Sequence, residues 1–116
     1  MKLVMQGVTT IAAGTTDPDV LSGQKYNRPP MNAIATLYCT GSALGLTAEM
    51  NINGLANTDK IAVNDQNRFP VVPDDLLSTD MEAPQGGLMQ LSVTNNDPTN
   101  NLDFFWRVEL DDAVMV

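Results

Sequence analysis

Apolar and polar residues alternate along several stretches of this chain. Leu46, Ala48, Met50 and Ile52 fall on one side of such a stretch and Thr47, Glu49, Asn51 and Asn53 on the other. Further on, Phe104, Trp106, Val108 and Leu110 alternate with Phe105, Arg107, Glu109 and Asp111. Successive side chains leave a strand on opposite faces, so a period of two predicts half-buried β-sheet.

The remaining segments extend that reading. Lys2 to Ala13 is apolar and β-branched, with Gly7 a candidate bulge, and predicts one bent strand or two short ones. Residues 14–32 are rich in Gly, Thr, Asp, Ser and Pro and read as an extended arm or long loop. Ala33 to Thr40 and Leu46 to Asn53, separated by Gly41 to Gly45, predict an antiparallel hairpin. A short strand near Lys60 to Asn64 would point Ile61 and Val63 inward, and Pro70 and Pro73 confine Arg68 to Pro73 to an edge or loop. Asp74 or Asp75 could cap a one-turn helix through Leu76, Leu77 and Ser78. Gly86-Gly87 opens a strand at Leu88 to Thr94, residues 95–101 form a polar turn, and Leu102 to Leu110 is an aromatic strand. Ala113 to Val116 adds a short strand or extends that one. With about six to eight strands, the expectation is an all-β chain, a single domain over residues 1–116 built as an antiparallel β-sandwich, jelly-roll-like or a small barrel.

Charge narrows the possible partners. Residues 1–73 carry five acids and five bases, whereas residues 74–116 carry nine acids against Arg107 alone, so the whole net charge of −8 falls in the last part of the chain. Such a surface repels phosphate, which argues against direct contact with nucleic acid or an anionic membrane. No apolar run approaches the roughly 20 residues that span a bilayer, and the N-terminus lacks a leader pattern, so a soluble chain that is not a secretion precursor is expected.

Reactive chemistry is sparse. The chain has no histidine and one cysteine, Cys39, in the apolar register of Ala33, Ala35 and Leu37, which predicts a buried free thiol. The pairs Asp17 and Asp19, Asp74 and Asp75, and Asp111 and Asp112 lack the Asp/Asn-Gly-Glu continuation of a calcium loop and read as solvated turns or caps. The oxygen-rich run Asn64 to Asn67 ends in Arg68, which would oppose a cation. Glu49 and Glu109 stand on polar strand faces where a glycosidase pair could stand, yet strand charges that block edge pairing account for both. The expectation is no enzyme and no cofactor or metal. Phe105 differs: an aromatic on the face shared with Arg107 and Glu109 needs a cover, from a loop of the same chain or from a neighbouring subunit. Ile34, Thr36, Tyr38 and Thr40 oppose the Ala33 face, so both faces of that strand carry sizeable groups, as at a subunit contact.

In its Asn- and Thr-rich surface, its few charges, and segments such as Asn27-Arg28-Pro29-Pro30-Met31 and Gly86-Gly87-Leu88-Met89-Gln90, the chain resembles the small structural proteins of bacteriophage particles. These are the decoration (cement) or minor capsid proteins built as β-sandwiches or β-tulips. The resemblance implies a virion component that forms a homo-oligomer, a trimer or larger ring, and meets a major capsid or other virion protein. Leu3, Val4 and Met5, the arm residues Tyr26, Asn27, Arg28, Pro29, Pro30 and Met31, and Phe105 are the expected subunit contacts. On that view, deleting residues 15–30 leaves a folded domain that no longer assembles. The alternative is a carbohydrate- or ligand-binding β-sandwich of a fibre or adhesin, for which Tyr26, Tyr38 and Phe105 are the available aromatics.

Overall fold

A computed structural model of the chain describes residues 2–56 and 60–112, and every regular element among them is a strand. The long strands are β1 (Lys2–Ile11), β3 (Ala33–Gly41), β4 (Leu46–Ile52), β7 (Leu76–Ala83), β8 (Met89–Asn95) and β9 (Leu102–Asp112). Three two-residue pieces accompany them: β2 (Thr16–Asp17), β5 (Leu55–Ala56) and β6 (Ile61–Ala62). They form two sheets, one in the order β1-β9-β3-β7 and one in the order β2-β8-β4-β5, with β6 also on β4.

The chain changes sheet at every connection except along β4, β5 and β6. Strand β1 pairs with β9, β2 with β8, β3 with β7 and β4 with β5, all antiparallel. That is one long antiparallel ribbon folded double and rolled, then zipped along β3·β9 and β4·β8. The order is that of a jelly roll, which settles the topology that alternation left open. The inner faces meet in one core, with Leu37, Phe104, Trp106 and Leu110 from the first sheet against Leu46, Met50, Met89 and Leu91 from the second.

Four expectations change. The predicted hairpin is an arch: β3 and β4 lie in different sheets. Its start is pinned to β9, where Ser42 N–H donates to Asp103 O at 2.9 Å and Ser42 Oγ accepts from Asp103 N–H. Its end is pinned beside β8, where Asn96 N–H donates to Gly45 O at 2.8 Å. Alternation alone does not tell an arch from a hairpin, since both bury the same positions. The actual tight hairpin is at Asn53-Gly54, where φ values of 58° and 82° form the two-residue turn joining β4 to β5.

The expected helix is also absent, because Asp75 does not cap one. Its buried carboxylate accepts from Val71 N–H at 2.8 Å, and its carbonyl accepts from Cys39 N–H at 3.1 Å, which lays the chain beside β3 and leads it into β7. Gly7 makes no bulge, for β1 runs in unbroken register with β9. Gly7 is instead a close approach: a Cβ there would stand 2.7 Å from Trp106 Cζ2. Finally, the arm is part of the fold. Val20 and Leu21 are buried in the core, Val20 N–H donates to Leu91 O at 2.9 Å and Met89 N–H to Asn27 O at 2.8 Å, so deleting it would open the sandwich. The strand expected at Ala113 to Val116 lies outside the described residues.

Candidate interaction surface

The two solvent faces of the sandwich differ in chemistry. On the β8–β4 sheet the outward rows are Thr47 beside Thr94, Glu49 beside Ser92 and Asn51 beside Gln90, all polar. On the β1-β9-β3-β7 sheet the outward rows run Val8, Phe105, Thr40 and then Gln6, Arg107, Tyr38, Leu76. A strap of residues 68–75 lies over this second face. Phe69 meets Phe105 edge to face with ring centroids 5.2 Å apart, and Thr40 Oγ1 donates to Arg68 O. Arg68 Nη2 stands 3.3 Å from Asp75 Oδ2, tying the strap to the root of β7.

The cover over Phe105 therefore comes from the same chain, and it exposes new apolar surface in turn. Of the large hydrophobics left in solvent among the described residues, Val4, Val8 and Leu76 are on this face and Phe69, Val71 and Val72 on the strap; only Leu44 lies elsewhere. Scattered exposed hydrophobics are ordinary, whereas gathering on one face makes that face a candidate contact surface. A charged rim borders it. Glu109 is buried, which pushes its carboxyl upward, but hydrogen bonds from Arg107 Nε at 2.7 Å and from Lys2 Nζ at 3.2 Å outweigh that and hold it below the usual range. The same bond to Glu109 holds the Lys2 amine above its ordinary range.

The expected contact residues fare unequally. Met5 is buried in its own core, and Leu3, Tyr26 and Met31 pack against that core. Pro29 is buried, its carbonyl accepting from Gly86 N–H at 2.9 Å, while Arg28 Nη1 donates to Gly86 O at 2.8 Å. Asn27 is half-buried, and Phe105 sits beneath Phe69. Val4, Arg28 and Pro30 keep their faces in solvent. Phe69 and Val8 escaped the sequence reading, and an aromatic next to a proline in a loop, Phe69-Pro70, was the available sign.

The acidic sites do structural work. Asp17 Oδ1 accepts from Asp19 N–H at 3.0 Å, and Asp19 Oδ1 accepts from Leu21 N–H at 3.0 Å and Leu91 N–H at 3.2 Å, fastening the arm to β8. Glu49 and Glu109 stand on opposite solvent faces and cannot flank one bond. Tyr38 lies buried on the same sheet face as Phe105, whereas Tyr26 lies in the arm beside the other sheet, so the three aromatics do not line one groove. Burial pushes the Cys39 thiol up to about 12. Among the described residues there is no pocket and no group of three or more potential metal ligands. Comparison with protein-family models, with curated proteins and with solved structures finds no match to the chain.

Proposed function

We propose that this chain is a structural subunit of a virus particle, of the bacteriophage decoration or minor capsid kind, that acts through contacts with copies of itself and with a major capsid or other virion protein. The observation that carries the reading is the gathering of exposed valines, Leu76 and Phe69 on one sheet face and its strap, opposite β4 and β8, whose outward rows are polar. A surface of that chemistry suits protein partners. The jelly roll is a fold of viral capsid domains, though also of lectins and cupins, so fold alone does not choose among them. The residues add two supports: the surplus of acid in residues 74–116 keeps nucleic acid away, and the aromatics that a sugar platform needs are divided or covered.

In this reading the subunits form a trimer or larger ring on the shell after synthesis in the host cytoplasm. The test is the protein composition of particles banded by density from the producing culture. Stoichiometric amounts of this chain in the particle band are expected, and particles that lack it would overturn the assignment.

A further inference from the structure

Sheet edges offer rows of unpaired N–H and C=O groups, and proteins that stay apart protect them. Three of the four edges here are protected. The β8 edge is covered by β2 and the arm, and the β4 edge by β5 and β6. The β7 edge is broken by register shifts, with Asp80 at a φ of 58° and Glu82 exposed. The β1 edge has none of these devices. It runs ten residues in regular register with β9, carries no proline or bulge, has no charge from Leu3 to Ile11, and among the described residues has no covering loop. Among the described residues, no backbone bond beyond the β9 ladder reaches Lys2 to Thr10.

We infer that this edge pairs with the same edge of a second copy, antiparallel about a two-fold axis at Gln6, so that two jelly rolls share one continuous sheet. The inference rests on the self-assembly reading and names one contact of it; because a two-fold contact joins copies in pairs, it excludes a bare trimer and leaves a larger ring built from pairs. Residues facing each other across an antiparallel pair point to the same face, so a two-fold at a residue pairs positions of equal parity. An axis at Gln6 sets Val4 opposite the partner's Val8 on the solvent face. On the inner face it sets Leu3 opposite the partner's Thr9 and Met5 opposite the partner's Gly7, large against small. An axis at Met5 would instead set Val4 against Gln6 and Lys2 against Val8, and one at Gly7 would set Val8 against Gln6. Only the Gln6 axis matches the valines.

Charge agrees with the same register. Lys2 comes to rest opposite the partner's Thr10, whose hydroxyl holds Asp103 at 2.7 Å on the same solvent face. Lys2 Nζ is held by Glu109 of its own chain at 3.2 Å, so across the seam each Lys2 faces only an uncharged threonine, and no like charges meet along the paired strands. The contact is isologous: it uses both edges and closes.

Sedimentation velocity over a concentration series, with paired variants, tests it. Wild-type protein is expected to show a reversible two-copy step. Val4 and Val8 are solvent-facing, so the double variant Val4→Lys with Val8→Lys should keep its far-ultraviolet circular dichroism while weakening that step by roughly 100-fold or more, as like charges face each other. The variant Val4→Lys with Val8→Glu should restore it, because each lysine then faces a glutamate of the other copy. Gln6→Cys should give a covalently linked pair on mild oxidation. A wild-type monomer at every concentration, an unchanged step in the double-lysine variant, or a Gln6→Cys protein that stays unlinked would overturn the contact. Particle composition decides the virion reading separately, so a monomer found in particles refutes only the edge, and a dimer absent from them refutes only the virion.

Discussion

Replacing Gly7 with alanine tests the packing of the sandwich through the sign of its effect. Gly7 is extended rather than left-handed, and at an open strand position its replacement by alanine stabilises by about 0.4–1 kcal/mol, since the unfolded chain loses freedom. Here the new Cβ would stand 2.7 Å from Cζ2 and 3.0 Å from Cε2 of the Trp106 indole. Trp106 is a rigid ring buried in the core, so it has nowhere to yield. Overpacking of this type costs about 1–3 kcal/mol. The difference leaves a net loss of up to roughly 2.6 kcal/mol. With about 2.1 cal/mol/K of unfolding entropy per residue, 116 residues give about 0.24 kcal/mol/K, so Tm should fall by up to about 11 °C. Trp106 is the only tryptophan, and its fluorescence during thermal and urea unfolding at fixed protein concentration reads the change directly. In a Trp106→Phe background, where the ring edge that Gly7 touches is gone, the loss should shrink. A Gly7→Ala protein more stable than wild type, or a loss that does not couple to Trp106, would refute the close approach.

Leu21→Ala, which empties a fully buried arm position, should cost about 2–5 kcal/mol in urea unfolding, and deletion of residues 15–30 should abolish cooperative folding; a deletion variant with a native circular dichroism spectrum would show that the arm is dispensable. The turn carboxylate Asp97 is held near 2 from an ordinary 3.8, chiefly by Thr99 N–H and then by the Asn100 side chain, and Glu109 also lies below its ordinary 4.5. Both carboxyls therefore add stability that is complete above the ordinary carboxylate range and is lost as the pH falls below it, the Asp97 share toward about 2, and Asp97→Asn should flatten that slope; a slope unchanged by the substitution would refute the Asp97 share. Cys39, buried with its thiol pushed up to about 12, should resist a thiol reagent at pH 8 in folded protein and react fully in denaturant, so labelling of the native state would contradict its burial.

The sheet content was legible because alternation is a local signal. Leu46 to Ile52 and Leu102 to Leu110 bury the positions that alternation assigns inward, and Cys39 does the same. What alternation cannot carry is the identity of the partner strand. An arch and a hairpin between β3 and β4 bury the same residues, and the choice is made by Ser42 and Asn96, which tie the two ends of the loop to different sheets through bonds to distant chain segments. Strand β7 was hidden for a related reason. As an edge strand with Ser78, Thr79, Asp80 and Glu82 outward or exposed, it buries only Met81 and Ala83, too little to show a period. Residues 14–32 look like a free arm by composition, yet Val20 and Leu21 are two apolar neighbours that a solvated loop has no use for.

The candidate interaction surface was less legible still, because it depends on what topology leaves unpaired. Sequence marks Val4 and Val8 as outward residues of an apolar strand, but only the order β1-β9-β3-β7 makes that strand an edge and sets Val8 beside Phe105. These two valines belong at once to the free edge and to the apolar face. A two-fold at Gln6 would therefore carry the Val8, Phe105 and Phe69 patch of each copy to either side of the new seam, and two modest patches would become one surface crossing it. Edge pairing uses backbone groups and the two valines of each copy, leaving Phe69, Val71, Val72 and Leu76 uncovered. Under the proposed function, the residues still exposed after the first contact are those left for a ring neighbour or a shell protein. Phe69→Asp should accordingly leave the two-copy step intact and remove any larger assembly, while Val4→Lys with Val8→Lys should do the reverse at the first step. If Phe69→Asp weakened the two-copy step as well, face and edge would have to be parts of one contact.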